Sequence, residues 1–373
     1  MHNHYQVTLN DMQHVVREQI LSVGIDVHKD THTAVGVSPF GEKLFEVKIG
    51  NYREDFASLT AKVEAAAKGA KLSPYFGLED CHGYGERLAN YLDEVGYTVI
   101  HVSSNLVDRQ RQNNTHPEKS DSLDAYGVAE VMLRKSDTLP RYTVTEASKN
   151  AKDIKDVATD REYLVYERTR LKNHLHDLLH RIWNTEYRAK FKDPFSQKAL
   201  RYWVKAQCKG ASPFLMRTMK RKVKRLQTLR VEIKELDEEL ASLLAQSGST
   251  LPTASGCGTV VAATLIAEIG DINRFQSPAA LAKYAGCAPR EYGSGKKQRY
   301  RKTRAGNRRL NCAFHRMALA QISMTGNDRA RTYFKKKVAE GKSKSQALVC
   351  LRRQLVNVIW CMMKYKTEYR YPQ

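Results

Sequence analysis

Four carboxylates and one serine in this chain have residue types and spacings suited to phosphate chemistry. Asp26 interrupts an apolar, β-branched run made by Ile20, Val23, Ile25 and Val27. An ionised carboxylate inside a strand is costly to bury unless a cation, a hydrogen-bond cage or a metal ion offsets it. Glu79 ends a second apolar stretch, Tyr75-Phe76-Gly77-Leu78. Asp121 and Asp124 are three residues apart, so a helix places both on one face. Like charges at that spacing repel, and a helix N-terminus offsets the repulsion only in part. A divalent cation would offset it more fully, and Mg2+, as one ion or two, takes oxygen ligands and serves phosphoryl transfer. Each acid alone reads as solvated surface; their recurrence argues for a metal. His28 and His82 lie near these acids, but single histidines are more often hydrogen-bonding neighbours, so they stay outside the ligand set.

The serine is Ser294, set between Gly293 and Gly295 on what reads as a flexible turn. From Lys296 to Arg309 come eight basic residues and no acid: Lys296, Lys297, Arg299, Arg301, Lys302, Arg304, Arg308 and Arg309. A hydroxyl beside so cationic a patch could attack a phosphodiester held there, although alone it is an ordinary turn serine. The patch is the firmer signal and points to nucleic-acid binding, with Tyr292 and Tyr300 available to stack on bases.

The elements that must position these groups divide the chain into an extension, 1–19, followed by three parts. Residues 20–138 read as α/β. Strands are expected over 20–27, 31–37 and 43–49, a helix over 52–68, a strand over 75–79, a helix over 85–95 and a strand over 98–102. A polar loop at 109–118 then leads into a helix carrying Asp121 and Asp124. Three strands followed by alternating helix and strand, with a late acidic helix, resembles the order of the ribonuclease H-like (RuvC-like) fold. Residues 139–250 read as a charged helical segment. Its seam of Leu226, Leu229, Ile233, Leu236, Leu240 and Leu243 has spacings of 3, 4, 3, 4 and 3. That seam fits a helical hairpin within the chain or a coiled coil between copies, with the contact between copies slightly favoured. Residues 251–373 read as mainly helical. There Ser255-Gly256-Cys257-Gly258 forms either a plain cap or a turn offering N–H groups to a phosphate.

Lys and Arg number 62 against 40 acidic residues, a formal net charge of +22, which calls for a polyanionic partner. The seven cysteines are scattered and never spaced C-x-x-C, which argues against a zinc site and a disulfide framework and fits the reduced thiols of a cytoplasm. No signal peptide and no apolar run long enough for a bilayer are visible, so the expectation is a cytoplasmic, basic protein without a membrane partner.

As a set these residues resemble a known family. Gly24-Ile25-Asp26-Val27-His28-Lys29, Gly77-Leu78-Glu79, Lys119-Ser120-Asp121-Ser122-Leu123-Asp124-Ala125, Ala267-Glu268-Ile269-Gly270-Asp271, Ser294-Gly295 and Gly306-Asn307-Arg308-Arg309-Leu310 are similar to the DEDD transposases of insertion sequences. These are the bridge-RNA-guided recombinases of the insertion-sequence family numbered one hundred and ten. The resemblance covers roughly 20–365; one departure is Ser255-Gly256-Cys257-Gly258, where the family commonly has Pro-Gly-Ile-Gly. It implies a bacterial, DNA-associated protein with a RuvC-like domain whose Asp26, Glu79, Asp121 and Asp124 bind Mg2+. It also implies a helical coiled-coil segment and a C-terminal transposase domain whose Ser294 is the nucleophile. Donor and target DNA, a structured non-coding RNA and a homo-oligomer, dimer or tetramer, are the implied partners, with the acids of a neighbouring subunit completing the site. Two other readings stay open: a Holliday-junction-type nuclease that uses only the four carboxylates, and a nucleic-acid-binding protein without catalysis.

Overall fold

In a computed structural model, residues 19–112, 119–294, 297–301, 306–323 and 325–370 are described, for 290–294 and 297–301 by their backbone. The chain forms two compact units, Met1–Thr145 and Glu146–Gln373.

The first unit is a mixed sheet flanked by helices. Its elements are β1 (Ile20–Val27), β2 (Thr31–Val37), β3 (Lys43–Gly50), α1 (Arg53–Ala70), β4 (Ser73–Leu78), α2 (Glu86–Glu94), β5 (Thr98–His101), α3 (Ser104–Gln112), α4 (Asp121–Lys135) and β6 (Arg141–Tyr142). The sheet order is β3-β2-β1-β4-β5-β6. β1 runs antiparallel to β2 and parallel to β4, β4 runs parallel to β5, and β6 closes the edge antiparallel to β5.

Side chains alternate across a strand with period two, and both faces of β1 are covered. Leu21, Val23 and Ile25 pack against Phe56, Leu59 and Val63 of α1 and Leu88 and Leu92 of α2. Gly24, on the other face, meets α4: a Cβ there would overlap the Ala125 carbonyl oxygen and the Ala129 backbone nitrogen. Gly24 stands opposite Gly77 of β4, whose added Cβ would run into Met132 and Val128. The paired glycines thus let α4 lie close on the sheet. Gly24→Ala should push α4 off β1, since backbone cannot retreat as a side-chain tip can. The expected cost is at least about 2–3 kcal/mol in urea unfolding.

Two expectations are corrected here. Residues 109–112 are the end of α3 rather than loop, while 113–118 lie outside the described residues. Only Val107 of that helix is buried, so no apolar period announced it. The sheet also continues past 138 to β6, a two-residue strand too short to show a pattern.

The second unit comprises α5 (Glu146–Trp183), α6 (Glu186–Lys190), α7 (Gln197–Lys205), α8 (Pro213–Gln246), α9 (Thr259–Ile269), α10 (Pro278–Tyr284), β7 (Arg290–Ser294), β8 (Lys297–Arg301), α11 (Arg308–Ile322), α12 (Asp328–Ala339) and α13 (Lys344–Tyr365). The leucine seam of α8 is spent inside the chain. Leu226 and Leu229 pack with Leu171, Leu175 and Leu178 of α5. Leu240 joins Ala151 and Ile154 of α5 in a core that continues into α9, α11 and α13. At Leu226, Leu229 and Leu240 the seam therefore packs within the chain as a helical hairpin. That shared core also runs across residue 250, where the sequence suggested a boundary. Ser294 ends the first strand of a two-stranded ribbon, β7 antiparallel to β8, while the turn expected beside it, at 295–296, lies outside the described residues. The ribbon's charged and glycine-containing strands lack the apolar alternation by which strands are recognised.

Candidate active site

The two glycines that seat α4 also fix where the acids fall. Two residues beyond Gly24 on the same face is Asp26, and two beyond Gly77 is Glu79, just past the end of β4. α4 begins at Asp121, one turn before the Ala125 backbone that covers Gly24, so Asp121 and Asp124 come to the same edge. Ser120 holds that first turn: its hydroxyl accepts from the Leu123 N–H at 3.2 Å. Replacing Ser120 by Ala should cost about 1 kcal/mol by denaturant midpoint and weaken cation binding at Asp121 and Asp124 by fraying the turn that carries them.

The ligand atoms of Asp26, His28 and Asp121 all lie within 4.8 Å of one another. His28 Nδ1 is 3.5 Å from Asp26 Oδ2 and its Nε2 is 3.9 Å from Asp121 Oδ1. Burial pushes the Asp26 carboxyl up, His28 pulls it down, and Asp124 and Asp121 raise it again. Glu79 rises from 4.5 to about 7, first by burial and then by the charges of Asp26 and Asp124. Positive charge enters from the side: Arg111 donates to Asp124 at 3.0 Å, and Lys48 reaches Asp121 at 3.4 Å. The four carboxylates named from the sequence therefore sense one another, with one arginine, one lysine and one histidine partly offsetting them.

That donor set fits a divalent cation. Mutual repulsion that holds a carboxyl up is what a bound cation removes, and carboxylate oxygens suit hard ions. Sequence reasoning missed Arg111 and set His28 outside the ligand set, whereas the structure groups His28 with Asp26 and Asp121. His28 had a readable signal, two residues after Asp26 and just past the end of β1; Arg111 had none. An imidazole ligand would suit Mn2+ or Zn2+ better than Mg2+. His82 instead lies beside His101 and Tyr142, in tilted ring contacts at centroid distances of 5.9 and 5.4 Å.

In the second unit Ser294 ends β7, in register with Lys297 of β8. Lys297, Arg299 and Arg301 belong to β8, whereas Lys296, Lys302 and Arg304 lie outside the described residues. The chain entering α11 is pinned. Gly306, at φ +108°, lies so close to Gly286 that a Cβ would be 2.6 Å from its nitrogen. The Asn307 N–H donates to the Tyr284 carbonyl at 2.7 Å, and its side chain donates to Glu268 at 2.6 Å. Arg309 is held by Glu162 at 3.0 Å and Glu268 at 3.3 Å, while Arg308 is exposed. The 255–258 turn packs on α11, where Gln321 donates to the Ser255 carbonyl at 2.8 Å. Packing of this kind is what a plain helix cap needs.

A sheet with clustered carboxylates, joined to a helical unit rich in cations, is the architecture of an enzyme acting on DNA. Two family models match the chain: the DEDD transposase model over residues 23–184 and the transposase IS116/IS110/IS902 family model over residues 248–335. The chain thus carries transposase domains of the IS110/IS116 family, the first running from the first unit on into α5 and the second within the second unit. It is 26% identical to an insertion element IS116 protein of 44.8 kDa from Streptomyces clavuligerus, over 94% of this chain and 96% of that one. It is 23% identical to the transposase for insertion sequence element IS1111A of Coxiella burnetii, over 95% and 92%. It is also 28% identical to a pilin gene-inverting protein of Moraxella bovis, over 37% of this chain and 45% of that one. Among the described residues, no helix is long and apolar enough to cross a membrane.

Proposed function

We propose that this protein cuts and rejoins DNA strands as the transposase of an insertion sequence, with Asp26, Glu79, Asp121 and Asp124 holding Mg2+ in a ribonuclease H-like domain and Ser294 as nucleophile. The observation that carries the reading is the convergence of Asp26, His28 and Asp121 within 4.8 Å, on a chain that also carries the second transposase domain. A bound divalent ion supplies charge neutralisation at the phosphoryl oxygens and eases loss of the hydroxyl proton. The acids orient that ion. Ser294 Oγ forms the bond to phosphorus as the bond to a sugar oxygen breaks, and the departing oxygen takes up a proton. The phosphoserine ester conserves the phosphodiester linkage, so rejoining needs no nucleotide triphosphate.

Cations of 296–309 would hold the strand through its phosphates. Base pairing with a structured bridge RNA would choose donor and target sequences, as the resemblance implies. A functional division near 138 and 250, across which the sheet and the helical core continue, and the use of two or four copies belong to the same proposal. The test is a covalent-adduct assay on protein expressed with its complete flanking element. With Mg2+ and labelled element-end DNA, denaturation should leave label on the protein, and EDTA should abolish it. Cut DNA without retained label would favour a nuclease that uses only the carboxylates, and no cutting under any metal would favour a binding protein.

A further inference from the structure

Two clefts on the second unit meet along one face of α5. One, of about 530 Å3, lies among α5, α8, α9 and α11, and Lys155, Arg308 and Arg316 are among its walls. The other, of about 470 Å3, lies between α5 and α8 beside Arg170, His174 and Lys222. Tyr166 lines both, and Tyr163 lines the second, so the two join into one track. From Lys155 to His174 it follows α5 for about 28 Å at 1.5 Å per residue.

The charges along this track are unevenly spent. Its acids are already engaged: Glu162 and Glu268 with Arg309, and Glu167 with Arg225 at 2.9 Å. Arg161 is held by Asp237. Among the described residues, Lys155, Arg170, Lys222, Arg308 and Arg316 have no ion-pair partner. Tyr163 and Tyr166 stand 67% and 63% exposed between the two cationic ends. Large aromatic side chains left in water midway along a cationic groove are poor surface for a protein at +22, unless something flat and anionic lies over them. Unpaired nucleotides have that chemistry, with phosphates for the cations and base faces for the rings. A duplex keeps its bases stacked inside and offers the tyrosines nothing.

We infer that the α5 track, Lys155 through Tyr166 to His174, binds single-stranded DNA by stacking bases on Tyr163 and Tyr166 between two sets of phosphate-binding cations. The inference rests on the strand-exchange reading above, in which a strand must leave its duplex to be joined elsewhere, and it extends the nucleic-acid surface beyond 296–309.

Binding of a labelled oligo-dT strand of roughly 20 nucleotides, followed by fluorescence anisotropy in EDTA, tests it without any strand being cut. Tyr163→Ala and Tyr166→Ala should each weaken binding about tenfold, whereas Tyr163→Phe and Tyr166→Phe, which keep the ring, should bind as the unaltered protein does. Arg170→Ala and Lys222→Ala should each flatten the salt dependence by about 0.7 in logarithmic slope. Four results would overturn the inference: equal or tighter binding of duplex DNA, preference for oligo-U RNA, unchanged binding in the Ala variants, or a change in oligomer size on gel filtration in those variants. The last would make the face a contact between copies. Protein that forms the covalent adduct yet fails to bind the strand refutes the track alone; loss of the adduct with binding intact refutes only the cleavage reading.

Discussion

Protein carrying Ser294→Ala should leave no DNA on the denatured protein and should cut element-end DNA at a rate at least about 10³-fold below the unaltered chain. The expectation follows from the role assigned to Oγ: without it no ester can form, and the acids and cations can only hold the strand. Binding of the same DNA should stay within about twofold, because the cations that meet phosphate are untouched. A gel shift run beside the adduct assay separates the two effects. If cleavage persists at full rate in this variant, the serine is incidental and water is the nucleophile, which is the resolvase-like alternative. Ser294 is the last residue of β7, and Ala keeps its β-carbon while removing only the hydroxyl.

Asp26→Asn should also lower cleavage strongly, yet raise stability in the absence of metal. Asn keeps the shape but binds a divalent cation far less well, so metal-dependent cutting should fall by at least about 10²-fold. In EDTA the same change removes one charge from a cluster whose members raise one another. Glu79 titrates at about 7 when folded against an ordinary 4.5. Between those values the folded state holds a proton that the unfolded chain has lost, so stability declines as pH rises from about 4.5 to about 7 and then levels off. At about 1.4 kcal/mol per unit the decline has an upper limit of about 3 kcal/mol, less after solvent screening. In Asp26→Asn the decline should be shallower but not absent, because burial is the larger cause of the Glu79 shift. At pH 8 in EDTA the variant should melt a few degrees above the parent, and added Mg2+ or Mn2+ should reverse the order. A thermal melt across pH, with and without metal, reads all of this. A variant no more stable than the parent in EDTA would mean that the acids do not repel in the free protein.

Much of this site was legible in the sequence because the signals were local. Strands over 20–27 and 31–37 followed from β-branched alternation, and the acids stood out as charges inside apolar runs. The i, i+3 spacing of Asp121 and Asp124 fixed their common face once a helix was assumed, and α4 supplies it from Asp121. Elements without apolar period went unseen: α3 buries only Val107, β6 is two residues long, and the strands of the β7–β8 ribbon are charged and glycine-containing in sequence. The leucine seam was visible, but a heptad does not name its partner. A helix in the same chain and a helix in another copy fill the same holes, and α5 is the one that does.

By itself, then, the sequence determined the kinds of group available: four carboxylates, a glycine-flanked serine, a large cationic excess and the strands and helices that carry them. Composition and short-range spacing are properties of covalent order and need no fold to be read. Only the tertiary structure decided which groups meet. Asp26 and Asp121 are separated by most of the first unit in sequence, and they converge because Gly24 and Gly77 let α4 press on the sheet two residues before the acids begin. The same packing brought in His28 and Arg111, decided that Arg309 serves Glu162 and Glu268, and laid Tyr163 and Tyr166 along a cationic track. Those outcomes depend on long-range contacts between surfaces, which no single stretch of chain encodes alone.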